Sequence, residues 1–193
     1  MSTTPEACMD TTPEACMDTT PEACMDTTPE ACMDTVDLAV PLDTPLELPD
    51  TADTEALGER LAAGLRAGDL VVLSGPLGAG KTALVRGLAH GLGVAGPVTS
   101  PTFVIAREHR PLPGGAGVPL VHVDAYRLGT VGDVAAELDD LDLDTDLANA
   151  VVAVEWGEGV AERLSARHLL VRLERRPDDV RIAHVQRVDP EQP

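Results

Sequence analysis

The stretch GPLGAGKT, Gly75 to Thr82, sets a lysine and a threonine behind three glycines in the spacing G-x-x-x-x-G-K-[ST]. Each residue type there suits a polyphosphate. Gly75, Gly78 and Gly80 let the backbone curl so that successive N–H groups face phosphate oxygens. A helix opening near Gly80 would add its positive end to the same point. Lys81 supplies a compact charge on a flexible stem for β- and γ-phosphates, and Thr82 a hard hydroxyl oxygen suited to Mg²⁺. Lys81 is also the only lysine of the chain, whose other 13 basic residues are arginine. A planar, forked guanidinium does not replace a point charge in a tight loop, so the exception marks a requirement. These residues predict a nucleoside triphosphate site.

Two carboxylates end apolar runs elsewhere. Asp124 closes LVHVD and Glu155 closes AVVAVE, strand ends from which Mg²⁺ or an attacking water can be held. The plainer readings are a turn or cap acid for Asp124 and a solvated strand-end acid for Glu155. Before both, VTSPTF offers Thr99, Ser100 and Thr102, either as hydroxyls that sense a γ-phosphate or as an ordinary turn. Phe103, Tyr126 and Trp156 are the only aromatic residues, and each falls in one of these three segments. They are either core fillers or rings packed beside a nucleotide.

The intervening sequence supplies elements to hold these groups. VDLAVPL reads as a first strand, and LPDTADTEALGERLAAGLRAGD as a helix with Leu57, Leu61 and Leu65 on one face and Thr51 or Asp53 as its cap. LVVLSG is a short apolar strand leading into the glycine loop. KTALVRGLAHGLG is a second helix that Gly91 or Gly93 ends, with Leu84, Leu88 and Leu92 on one side. TFVIARE and LVHVDAY read as strands split by the turn-rich RPLPGGAG. VGDVAAELDDLDLDTDL reads as an acidic helical surface segment and AVVAVEW as a buried strand. HLLVRLE and VRIAHVQ form a terminal hairpin around RRPDD. The interleaving predicts an α/β domain with a mostly parallel, covered sheet and antiparallel edges.

Composition narrows the classes. With 193 residues, 44% hydrophobic but only 2% aromatic, the chain has one domain's worth of core, built from Leu, Val and Ala. A net charge of −19 argues against duplex nucleic acid as the main partner, which would need basic surface. No apolar run reaches the ~20 residues of a membrane span, and the N-terminus has no signal-peptide pattern, so the cytoplasm is the expected compartment. Residues 3–34 are four copies of TTPEACMD, which carry all four cysteines (Cys8, Cys16, Cys24, Cys32). With little to bury, residues 1–35 are expected to form a disordered acidic tail without chemistry. Metal-site cysteines usually come as closely spaced pairs, which this spacing lacks. Residues 36–188 are expected to be the domain and residues 189–193 a frayed end. Outside the eight acids of the repeats, 25 acids face 14 basic residues, so the domain itself is acidic.

Taken in order, SGPLGAGKTALVRGLAHGLG, VTSPTFVI, HVDAYRL, AELDDLDLD and VVAVEWGE closely resemble the TsaE (YjeE) family, over about Leu48 to Val185. That family is the small P-loop ATPase component of bacterial tRNA threonylcarbamoyladenosine synthesis. The Walker motif alone is common, whereas its combination with TSPTF, HVDAYRL and VEW is specific. The resemblance implies a P-loop NTPase-type three-layer domain and a complex with subunits like TsaB and TsaD. ATP or ADP would bind with Mg²⁺, and the chain would act on its partners rather than make the modified base. It places nucleotide phosphates on Leu77, Gly78, Ala79, Gly80, Lys81 and Thr82, with Mg²⁺ on Thr82. Asp124 corresponds to a Walker B-type aspartate and Glu155 to a glutamate that positions metal or water. Trp156, Thr51 and, more weakly, Arg181 correspond to positions beside the nucleotide. The repeat tail, the RPLPGGAG loop and the Val and Ala within HVDAYRL depart from the common pattern. A small-molecule kinase and a non-catalytic nucleotide-gated module are the alternative functions, and RPLPGGAG, with a single Arg, is a poor phosphate lid for the first.

Overall fold

The computed structural model describes residues 40–101, 106–114, 117–127, 143–159 and 161–189. The octapeptide tail, Thr102, Phe103 and most of the acidic segment before Leu143 lie outside the described residues, as do residues 190–193 of the expected C-terminal end.

Seven strands form one sheet: β1 (Leu46–Leu48), β2 (Leu70–Ser74), β3 (Ala106–His109), β4 (Leu120–Asp124), β5 (Val151–Glu155), β6 (His168–Arg175) and β7 (Arg181–Val188). Their spatial order is β1-β7-β6-β2-β5-β4-β3. The four central strands β6, β2, β5 and β4 pair in parallel, while β3, β7 and β1 attach antiparallel at the two edges. The predicted α/β class with antiparallel edges is the one found. β2, β4 and β5 are almost wholly buried, as expected of parallel strands covered on both faces. One face packs on α1 (Thr51–Ala62) and α2 (Lys81–Leu92), with Leu57, Leu61, Leu84, Leu88 and Leu92 against Val71, Leu73, Val151 and Ala153. The opposite face joins Val72, Val121, Val123, Val152 and Val154, with Leu147 of the short helix α3 (Leu143–Asn149) packed against them.

Two boundaries differ from the sequence reading. The described part of VDLAVPL, Val40 to Leu42, is not a strand. The first strand is instead Leu46–Leu48, a three-residue edge confined between Pro45 and Pro49, with Leu46 opposite Ala183 and Leu48 opposite Arg181. Neither Thr51 nor Asp53 caps α1. Asp50 does, accepting from the Asp53 N–H at 3.0 Å while the Asp53 carboxylate accepts from the Asp50 N–H at 3.0 Å. This reciprocal pair is a capping box, with Asp53 in the place a longer acid usually holds. α2 ends at Gly93, in the left-handed conformation.

α1 and α2 meet backbone to backbone. A Cβ added at Gly87 would lie 1.9 Å from the Glu55 carbonyl oxygen. Gly87→Ala must therefore push the two helices apart. It should lower stability by about 3 kcal/mol, the cost of overpacking where only backbone can give way, as measured by urea unfolding.

His109 on β3 is buried, and burial is the main reason its imidazole resists protonation below the ordinary histidine range. The Ala95 carbonyl at 3.4 Å opposes that effect, while His122 and Arg107 add to it. The unfolded chain thus binds a proton at His109 that the folded chain refuses. Stability should be unaffected by this group above its unfolded value and fall as pH drops below it, by up to ~1.4 kcal/mol per pH unit. A His109→Leu chain should lose less stability than wild type between pH 7 and pH 5 in urea unfolding.

Candidate functional site

The parallel arrangement brings the loops after β2, β4 and β5 to one end of the sheet, and the chemistry gathers there. Leu73 of β2 pairs in register with Glu155 of β5, and Glu155 with Asp124 of β4, so the two acids stand side by side just past the glycine loop. In that loop Gly75 has φ 136°, and a Cβ there would lie 2.1 Å from the Leu173 carbonyl oxygen. Only glycine fits between the loop and β6. Gly80 caps α2 without a side chain, and Lys81 begins the helix.

A cavity of about 540 Å³ opens on this loop. Leu77, Gly78, Gly80, Lys81 and Thr82 line one part, Asp124, Tyr126, Glu155 and Trp156 another, with Thr51, Arg86 and Ser100 completing the wall. Most positions named from sequence thus converge. Two do not line it. Ala79 is fully buried, its N–H donating to the Pro76 carbonyl at 3.2 Å. Arg181 lies on β7 across from Leu48.

Lys81 is only 5% exposed. Its Nζ donates to the carbonyls of Gly75 at 2.7 Å and Pro76 at 3.0 Å, and sits 3.6 Å from the centre of the Trp156 ring. Burial pushes the ammonium below the ordinary lysine range, while the nearby carboxylates of Glu155 and Asp124 resist that shift. The cation has therefore already lost most of its water, and carbonyl dipoles and an aromatic face compensate in part. An incoming polyanion meets a charge that needs little further desolvation. Trp156 reaches its place at φ 60°, an unusual conformation for a bulky residue that costs on the order of 1–3 kcal/mol. Its backbone N–H donates to the Leu73 carbonyl at 2.9 Å, and Tyr126 packs on its ring with ring centres 5.2 Å apart. Two of the three aromatic residues thus meet at the cavity; Phe103 lies outside the described residues.

The two acids are held differently. Glu155 Oε1 accepts from Thr82 Oγ1 at 2.8 Å and faces His122 Nε2 at 2.9 Å. Asp124 accepts from Ser100 Oγ at 2.9 Å through one oxygen and from the Tyr126 N–H at 3.1 Å through the other. Of the two strands that end in an acid, β5 is the one beside β2, so Glu155 rather than Asp124 meets the Thr82 hydroxyl. Of the VTSPTF hydroxyls, Ser100 enters the wall, and Thr99 instead accepts from Arg107 at 3.2 Å. Among the described residues no three His, Cys, Asp or Glu groups are grouped to hold a metal ion. A hydroxyl and two carboxylates at a polyphosphate loop do suit Mg²⁺, which keeps several waters and shares phosphate oxygens.

His122 was legible only as a letter within HVDAYRL. Strand alternation puts it on the same face as Asp124, two residues on, and that is the signal that could have found it. Arg86, one turn beyond Thr82 and paired with Glu55 at 2.8 Å, was likewise missed. The described part of RPLPGGAG, residues 110–114 and 117, lies elsewhere. The Leu112 N–H donates to Gly93, and the Ala95 N–H to Arg110, at the far end of the 12-residue α2. These contacts lie about 18 Å along the helix from Lys81.

The profile described as Threonylcarbamoyl adenosine biosynthesis protein TsaE matches residues 48–183, which include the glycine loop, both acids and Trp156. The chain belongs to the TsaE family. It is 62% identical over 139 residues to the tRNA threonylcarbamoyladenosine biosynthesis protein TsaE of Mycobacterium bovis, covering 70% of this chain and 82% of that one. The TsaE protein of Bacillus subtilis is 37% identical over 130 residues, covering 67% and 76%. The crystal structure of Bacillus subtilis YdiB superposes with a TM-score of 0.58 at 30% identity, over 74% of this chain and 84% of that one. The TsaE fold is thus the P-loop α/β sandwich expected from the sequence. Among the described residues no helix is long and apolar enough to cross a membrane.

Trp156 is the only tryptophan, so its emission reports on this TsaE-family site without a label. Lys81→Ala should alter that emission with no ligand added, because it removes the ammonium from the ring face. A fluorescence spectrum of the two folded chains checks this.

Proposed function

We propose that this chain is a Mg²⁺-dependent ATPase that serves threonylcarbamoyladenosine modification of tRNA by acting on partner subunits like TsaB and TsaD. The observation that carries the ATPase reading is the buried Lys81 ammonium, set in a glycine loop and faced by Glu155 and Asp124 across one cavity. Family membership supplies the tRNA context, and the partners are our extension of it.

In this reading the loop backbone from Leu77 to Thr82 binds the phosphates, and Lys81 neutralises the β/γ end. Thr82 and the two carboxylates would hold Mg²⁺, which when bound would supply positive charge to the phosphates. Glu155 orients a water for in-line attack on the γ-phosphorus. The new P–O bond forms as the bond to the β-phosphate oxygen breaks, giving ADP, inorganic phosphate and a proton. Asp124, tied to Ser100 and the Tyr126 N–H, keeps its carboxylate turned to the same space. Trp156 and Tyr126 wall off one side.

Leu77, 88% exposed, and Tyr126, 61% exposed, flank the cavity as apolar groups open to solvent. They suit a partner that covers the mouth, so hydrolysis by the chain alone should be slow and the partners should accelerate it. An acidic chain is poorly suited to hold tRNA unaided.

Lys81→Ala should weaken ATP binding at least a hundredfold by calorimetry. Glu155→Gln should keep ATP affinity within about threefold while lowering hydrolysis by on the order of 10²-fold or more. Unchanged binding in the first variant would refute the site. Unchanged hydrolysis in the second, measured by phosphate release with and without partners, would remove Glu155 from the mechanism.

A further inference from the structure

We infer that His122 is the positioning residue that fixes Glu155 for metal and water, an inference that rests on the ATPase reading above. The imidazole is fully buried, and Nε2 lies 2.9 Å from Glu155 Oε1. An ionised carboxylate only accepts, so the contact requires hydrogen on Nε2. Nδ1 is buried with no hydrogen-bond partner among the described residues. The tautomer with its hydrogen on Nε2 therefore leaves no orphaned donor, and the Glu155 contact is the ring's one hydrogen bond among the described residues. Along the same face of β4 the preceding inward residue is Leu120, fully buried and aliphatic. A polar ring where packing alone would accept another leucine indicates that the hydrogen bond itself is needed.

The consequence is geometric. Glu155 Oε1 receives two donors, Thr82 Oγ1 at 2.8 Å and His122 Nε2, which together fix the rotation of the carboxylate. Oε1 is thereby committed to the protein side, and Oε2 is the oxygen left for the cavity. Thr82 would also offer an oxygen lone pair to Mg²⁺ while its O–H still donates to Glu155. His122 comes from a different strand and would hold no metal itself, so it anchors the carboxylate independently of the loop. Outer hydrogen bonds of this kind orient metal-site carboxylates.

The test compares His122→Gln with His122→Asn in the full-length chain. The Gln amide nitrogen reaches about where Nε2 lies, whereas the Asn amide falls short; both are polar and neutral. Two readouts are taken: the Mg²⁺ concentration giving half of the metal-dependent change in Trp156 emission with ATP bound, and the rate of phosphate release. His122→Asn should raise the Mg²⁺ midpoint about tenfold and slow release by 10- to 100-fold. His122→Gln should stay within about threefold of wild type in both. ATP affinity measured without Mg²⁺, which Lys81 dominates, should stay within twofold in both variants. Folded Asn and Gln variants with the same Mg²⁺ midpoint would overturn the inference, as would an Asn variant identical to wild type. A wild-type chain whose emission ignores ATP and Mg²⁺ altogether would instead overturn the ATPase reading, and this inference with it.

Discussion

One ammonium group must remain charged where little water reaches it, and the architecture around the site follows from that demand. Lys81 meets it with two carbonyl oxygens, one aromatic face and two carboxylates nearby. Each comes from a different place in the chain. The carbonyls require the tight loop at Gly75, which in turn requires β6 to pass within backbone contact. The ring requires an αL residue at the end of β5. The carboxylates require β4 and β5 to run parallel in register, so that Asp124 and Glu155 end level with each other. A helix start alone would attract an anion weakly. The surrounding groups turn it into a site that holds its cation ready.

Much of this was legible before any coordinates. Apolar runs that end in a single acid, LVHVD and AVVAVE, announced buried strands with a polar tip, and both tips reached the cavity. The glycine loop announced itself by spacing. What could not be read was pairing. Nothing in one sequence says that β5 rather than β4 lies beside β2, and this decides which acid the Thr82 hydroxyl meets. Nor does sequence give the direction in which a loop residue points, so Ala79 and Leu77 looked alike although one is buried and the other fully open.

The errors at the start of the domain have local causes. The described part of the expected strand, Val40 to Leu42, is as apolar as Leu46–Leu48, yet the latter pairs with β7. Hydrophobicity finds central strands well, whereas a three-residue edge between prolines carries almost no such signal. The cap of α1 was placed at Thr51 or Asp53, one or three residues late, because both are good cap types. The Asp50 and Asp53 pair, three apart, was the stronger pattern.

The hairpin of β6 and β7 carries a last consequence. Arg172 is bound to Glu158, Arg175 to Asp179, and Arg176 to Glu47 and Asp178. Each of these guanidinium groups has a carboxylate counter-ion within the same molecule, so this stretch of the hairpin presents little uncompensated positive charge to a polyanion.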